Sequence, residues 1–242
     1  MAGSKTASIE GRVAAIDARA LGRELDRSGF ARIPGLLTPR ECGQLAALYA
    51  VPRHFRKRVE MERHGFGVGE YQYFAAPLPA RVAALRRALY PALARIANEW
   101  QERLRAPGRF PAGLPAFLRD CAAAGQAQPT PLMLRYEAGG YNRLHQDLYG
   151  TLAFPLQLTL LLSRPERDFE GGEFLLLERR ARMQSRADAI ALCQGEAIVF
   201  PTRERPVASA RGFARAEMRH GVSTVRRGRR LALGVIFHDA KS

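Results

Sequence analysis

Lysine is nearly absent from this chain. Only Lys5, Lys57 and Lys241 stand against 35 arginines. Genome composition or selection for a polyanionic ligand would each leave that bias. Cysteine is scarce too. Cys42, Cys121 and Cys193 are odd in number and widely spaced, which argues against a disulfide framework or a CxxC zinc site and predicts reduced thiols. No apolar run approaches the length that crosses a bilayer, and Met1-Ala-Gly-Ser-Lys5 lacks an apolar signal core. A cytoplasmic protein without a membrane partner is the expectation. There is no internal repeat and no low-complexity linker.

What is present is a chain of 242 residues, 47% hydrophobic, with a net charge of +15. The length suits one core, and the charge attracts phosphate backbones. The charge is uneven. Residues 201–242 hold ten basic and three acidic residues, and Arg179, Arg180, Arg182 and Arg186 form another cluster. DNA or RNA bound through the basic C-terminal segment is one reading. A solvated basic surface is the other.

Residues 1–12 read as a flexible tail. Val13, Ile16, Ala20, Leu21 and Leu25 recur at helical spacing and predict a helix over 13–27. Residues 32–36 form a short extended link, and Thr38-Pro-Arg-Glu41 is a capping box with proline at the first helical position. The helix that follows carries Cys42, Leu45, Ala46 and Tyr49 on one face. Residues 52–64 are charged and helical in part, and residues 66–74 make a glycine- and aromatic-rich loop or irregular strand. Residues 79–105 have helical periodicity, which Pro91 should break or kink.

The texture changes near Gln128-Pro-Thr-Pro131. Short apolar runs at 132–136, 154–163, 173–177, 189–192, 197–200 and 231–237 read as strands of a sandwich or barrel. The fold class is therefore α+β. Residues 13–125 form a helical N-terminal support and 126–242 a β core, two parts of one integrated domain.

The chemistry concentrates in His145-Gln-Asp147 and in His220, 73 residues beyond Asp147. Two histidines and a carboxylate suit non-haem Fe(II), because they fill one face of an octahedron and leave the other open. At a strand end, residues i and i+2 point to one side. Arg230, ten residues after His220, opens an apolar strand, where its guanidinium could grip a carboxylate in bidentate fashion. Arg226, Arg227 and Arg229 are its rivals, set in a glycine-containing turn. Tyr136 and Tyr141 are pocket or packing residues, and Ser223 is a helper of Arg230 or a turn hydroxyl. His238 reads as structural, His54 and His64 as solvated, and Glu173 as a turn residue. The block Arg182-Met-Gln-Ser-Arg186 touches substrate or is a solvated loop.

These residues resemble the 2-oxoglutarate/Fe(II)-dependent dioxygenases, the prolyl-hydroxylase-like group included. That group shows a tyrosine before HxD, then a distal histidine followed ten residues later by Arg or Lys. Tyr136, His145, Asp147, His220 and Arg230 match that pattern. Residues 66–74, 129–132, 144–150, 154–157, 169–174, 182–186, 219–223 and 237–239 further resemble a bacterial family of these oxygenases provisionally linked to nucleic-acid oxidation. The likeness runs over most of the chain beyond residue 15.

The resemblance implies a double-stranded β-helix (jelly-roll) core. It implies Fe(II) on His145, Asp147 and His220, with 2-oxoglutarate and O2 as co-substrates and ascorbate as a support. The implied reaction couples oxidative decarboxylation of 2-oxoglutarate to C–H hydroxylation, with nucleic acid oxidised or demethylated. Its rivals are a prolyl-type protein hydroxylase and a non-catalytic metal- or ligand-binding sandwich.

Overall fold

The computed structural model describes residues 7–241. They form, in order, α1 (Ile9–Ala14), α2 (Ala18–Ser28), β1 (Ala31–Ile33), α3 (Pro39–Leu48), β2 (Phe55–Glu60), β3 (Gly67–Val68), β4 (Glu70–Phe74), α4 (Ala80–Arg103) and α5 (Leu114–Ala123). Then come β5 (Gln126–Gln128), β6 (Leu132–Glu137), β7 (Tyr141–His145), β8 (Leu156–Leu161), β9 (Phe169–Gly171), β10 (Phe174–Arg179) and β11 (Arg186–Ile190). The chain ends with β12 (Ala197–Pro201), β13 (Glu204–Ser209), β14 (Gly212–Val222), β15 (Val225–Val235) and β16 (Ala240–Lys241). No helix among the described residues is long and apolar enough to cross a membrane.

The helices begin where side chains can satisfy orphan amides. Asp17 accepts from the Arg19 and Ala20 amides at the start of α2, and Gly29 ends it in a left-handed conformation (φ 81°). Thr38 and Glu41 cap α3 reciprocally, with Pro39 in the first turn, as the capping-box reading expects. The N-terminal expectation needs correction. Residues 1–6 of the supposed tail lie outside the described residues. Residues 9–12 belong to α1, which buries Ile9 and Val13, while Arg12 pairs with Glu41 at 2.6 Å. The helix read over 13–27 is thus two helices. The cap at Asp17 separates them.

Pro91 does not break α4, which runs for 24 residues. The proline sits on the exposed side, and the opposite side buries Leu85, Leu89, Leu93, Ile96 and Trp100. Burial of about 1.5–3 kcal/mol for each large side chain outweighs the roughly 3 kcal/mol that an internal proline costs.

The strands build a jelly-roll of antiparallel sheets. The larger sheet has the order β1-β12-β8-β15-β6-β4-β2, with β9 also on β15. The smaller runs β11-β10-β14-β7-β3, with β13 also on β14, and β5 pairs with β16. The segment read as a helical support therefore also supplies β1 to β4. Residues 52–64, expected to be helical in part, contain β2 between two short 3-10 turns. β13, absent from the sequence reading, forms a hairpin with β14, the strand that carries His220. β15 begins at Val225, so Arg226, Arg227 and Arg229 lie within a strand rather than in a turn.

One face of the larger sheet packs on the helices through Met133, Leu158, Leu160, Val199, Leu233 and Val235. The other face looks toward the smaller sheet. There the core is split between an apolar cluster around Phe174, Leu176, Ile198 and Phe200 and an open cavity.

Candidate metal and co-substrate site

His145 ends β7, and His220 lies near the end of β14. The two strands are antiparallel neighbours, and the register places His220 directly opposite His145. Residues on paired strands that face each other share a side of the sheet. A ladder of hydrogen bonds thus closes the long sequence gap. The register shifts between His220 and Val222. Gly221 allows this, because a Cβ there would come within 2.7 Å of the Asn142 carbonyl oxygen.

Asp147 lies just past the end of β7. Its Oδ2 is 3.2 Å from His220 Nε2, and its Oδ1 is 3.7 Å from His145 Nε2. Each of the three residues offers one ligand atom within 4.8 Å of the others. The imidazoles are held in place. His145 Nδ1 donates to the Arg143 carbonyl oxygen at 2.8 Å, which leaves the Nε2 lone pair directed to the site. His220 is packed against Phe174 and Phe200.

Electrostatics suit a cation. Burial pushes the Asp147 carboxyl up, but the His220 hydrogen bond, the two imidazoles and the Tyr149 hydroxyl together hold it well below the usual carboxylate range. Burial, aided by His145, lowers the pKa of His220 against the pull of Asp147. One ionised carboxylate and neutral imidazoles are the forms that bind metal.

The three residues line a cavity of about 410 Å³ that also contains Arg230 and Tyr136. Arg230 is 2% exposed, yet no acidic side chain pairs with it among the described residues, and its Nε has no hydrogen-bond partner. A buried guanidinium left this way costs several kcal/mol unless an anion joins it. Arg230 stands opposite Tyr136 in the β15–β6 register, with its guanidinium 5.8 Å from the tyrosine ring centre. Gly172 (φ 62°) gives Arg230 its room: a Cβ there would lie 2.8 Å from Arg230 Cδ.

The rivals are engaged elsewhere. Arg227 pairs with Glu170 at 2.7 Å, Arg229 with Glu137 at 2.8 Å, and exposed Arg226 lies 3.7 Å from Glu173.

Two expected site residues fall outside the cavity. Tyr141 does not line it; its ring lies under the Arg143 guanidinium. Ser223 does not line it either, and donates to the Glu173 carboxylate while accepting from the Glu173 amide. Glu173 is thus a tethered acid rather than a simple turn residue. His238 is fully buried, accepts from the Phe154 amide at 3.2 Å, and fits its structural reading.

Sequence reasoning missed Tyr149 and Tyr73. Tyr149 donates to Asp147 Oδ1 at 2.7 Å, and the Tyr73 hydroxyl is 3.0 Å from that of Tyr149. Tyr149 sits in irregular chain, so no periodicity marks it. Its position two residues after Asp147 was the available signal. Gln157 and Thr159 on β8 also line the cavity, and Gln157 Nε2 lacks a partner there.

Comparison with known proteins bears on this arrangement. Residues 69–240 match the family model Oxygenase-NA, described as an oxygenase catalysing oxidative methylation of damaged DNA. Two uncharacterised proteins of Mycobacterium tuberculosis, MT2286 of strain CDC 1551 / Oshkosh and Rv2227 of strain H37Rv, are each 50% identical over 167 residues, 69% of this chain and 72% of theirs. Among solved structures, an oxidoreductase of the 2OG-Fe(II) oxygenase family from Burkholderia pseudomallei shares the fold at TM-score 0.57. It is 16% identical, over 94% of this chain and 95% of that one. A Trichoplax adhaerens prolyl hydroxylase, in complex with a hypoxia inducible factor oxygen degradation domain peptide fragment, matches at TM-score 0.53. It is 13% identical, over 98% of this chain and 94% of that one.

Proposed function

The chain belongs to the Oxygenase-NA family and is a 2-oxoglutarate/Fe(II)-dependent oxygenase, and on that premise we propose that His145, Asp147 and His220 hold its iron, that Arg230 grips 2-oxoglutarate, and that its substrate is nucleic acid. One observation carries the site assignment. A single cavity contains both a three-ligand cluster and a buried arginine without a counter-ion. The donor set suits Fe(II). The orphaned guanidinium suits the distal carboxylate of a dicarboxylic acid. When bound, iron and 2-oxoglutarate supply the oxidising power that couples decarboxylation of the co-substrate to hydroxylation of a C–H bond.

The chain's own residues position and enclose. Tyr149 occupies Asp147 Oδ1, leaving Oδ2 turned toward His220. The Arg143 carbonyl oxygen fixes the His145 tautomer. Leu132, Leu134 and Ile236 line the cavity with apolar surface that limits water. The nucleic-acid reading rests on the family description and on the net charge of +15.

The test is succinate formation with Fe(II), ascorbate, 2-oxoglutarate and O2, alone and with methylated DNA, methylated RNA or a proline-containing peptide. Wild type is expected to form succinate, with turnover stimulated by nucleic acid. Asp147→Ala is expected to form none while remaining folded, as circular dichroism would show. A fully active Asp147→Ala variant would sink the metal assignment. Stimulation by the peptide alone would move the substrate to protein.

A further inference from the structure

A second cavity of about 510 Å³ adjoins the first, and Gln146 lines both. The Gln146 amide is fixed by donating to the Met218 and Arg203 carbonyl oxygens at 2.9 and 3.1 Å. The second cavity is lined by five arginines against two glutamates. Much of that charge is unmatched. Arg180 pairs with Glu178, Arg215 pairs with Glu204, and Glu217 is taken by Arg219. Arg179, Arg182 and Arg203 have no acidic partner among the described residues. Arg182 holds a left-handed conformation (φ 62°) in the turn between β10 and β11, and beside it Met183 is 64% exposed. Cations interleaved with a bare apolar side chain suit a ligand that is both anionic and unsaturated.

The first cavity has an exposed aromatic lining residue. Phe66 is 47% exposed, and the His64 ring stacks on it at 5.3 Å and 23°. Leu144, also a lining residue, is 37% exposed. His220, by contrast, is buried in the cavity wall. An atom that reacts there must be carried inside, and a base within a duplex cannot make that journey without leaving its stack.

Resting on the nucleic-acid reading above, we propose that a single strand lies with its phosphates along Arg179, Arg182 and Arg203, passes over Gln146, and stacks one base on Phe66 as that base enters the cavity. Guanidinium forks match phosphate oxygens, and an aromatic face accepts any base. Met183 then covers a neighbouring base. The block Arg182-Met-Gln-Ser-Arg186 acquires a task that the metal site did not give it.

Fluorescence anisotropy with labelled oligonucleotides of about 12 nucleotides, a length within the usual range of single-strand sites, tests the path. Oligo-dT, oligo-U and a duplex are compared against wild type, R179E/R182E, Phe66→Ala and the control R81E/R95E. The control makes the same charge change on exposed positions of α4. Circular dichroism and melting confirm that each variant is folded.

Wild type should bind the single strands more tightly than the duplex, and oligo-dT against oligo-U tells DNA from RNA. R179E/R182E should lose about tenfold or more in affinity, with a salt slope shallower by roughly 1.4 for two lost phosphate contacts. Phe66→Ala should lose affinity roughly 5- to 100-fold at an unchanged salt slope. R81E/R95E should bind like wild type. If the control weakens binding as much as the groove variant, the groove is wrong while the nucleic-acid reading stands. Unchanged binding by Phe66→Ala overturns the stacking role, and equal binding of the duplex overturns the single-strand path. No binding of any nucleic acid by wild type overturns the underlying reading itself.

Discussion

Neighbouring residues of the larger sheet face different surroundings. On β15, Leu233 and Val235 pack on the helices, whereas Arg230, Ala232 and Gly234 line the cavity. On β8, Leu156, Leu158 and Leu160 face the helices, whereas Gln157 and Thr159 face the cavity. The period-two alternation of a strand makes this possible. Large aliphatic side chains fill the helix side, and each fully buried one stabilises the fold by about 1.5–3 kcal/mol. The cavity side mixes small residues, which leave room, with polar groups that lack partners. The sheet thus separates stability from chemistry by a single residue step.

The largest expected departure from this division is at Arg230. Arg230→Met should weaken 2-oxoglutarate binding by about one to two decades, because a charged hydrogen-bonding partner is lost. The protein without co-substrate should melt at the same temperature or higher, because an uncompensated buried charge is gone. Calorimetric titration of 2-oxoglutarate and a melting curve check both halves. Unchanged affinity would pass the role to Arg226, Arg227 or Arg229.

The mirror-image test is Leu158→Ala on the helix side. It should cost about 2–5 kcal/mol, lowering Tm by roughly 5–15 °C. Affinity for 2-oxoglutarate at a temperature where the variant is folded should stay within about twofold, on the general expectation that distant sites act independently. Loss of affinity out of proportion to unfolding would mean that the two sides are coupled.

His238 lies beyond β15, and burial, chiefly, lowers its pKa from 6.5 to about 4. The folded state therefore holds it neutral. Its contribution to stability is complete above pH 6.5 and is lost as pH falls toward about 4, because the unfolded chain takes up the proton first. Denaturant titrations across that window should show wild type weakening toward acid. His238→Gln, which can still accept from the Phe154 amide, should show a flatter profile, and an equal slope would assign the effect to other groups.

The smallest effect is expected far from the cavity. Thr38→Ala removes the side-chain half of the α3 cap and should cost about 1 kcal/mol, read as a shift in denaturant midpoint with no change in 2-oxoglutarate affinity.

The sequence disclosed these parts unequally. His145, Asp147, His220 and Arg230 stood out because their side chains are rare in that spacing, and the structure brings all four to one cavity. The Thr38 cap was legible because it is local. The extent of β14 was not, since its first residues, Gly212-Phe-Ala-Arg215, are exposed and show no apolar alternation. β2 was misread for a similar reason, as Arg56, Lys57 and Arg58 are exposed on an edge strand. Arg226 to Arg229 resembled a turn because Gly228 adopts φ 76° inside the strand. Tyr149 remained hidden because it lies in irregular chain where no periodicity marks it, and Tyr73 because its contact with Tyr149 joins residues 76 positions apart.

The register that sets His220 opposite His145 has a consequence for how such a chain can change its length. Removing one residue from within β14 would turn every later side chain of that strand to the other face, carrying the imidazole of His220 out of the cavity. The same deletion in the turn at residues 180–185 leaves both strands in phase. Insertions and deletions should therefore be tolerated in the connections and rejected in the ladder, so that the 72 residues between Asp147 and His220 are free to grow or shrink only in their loops.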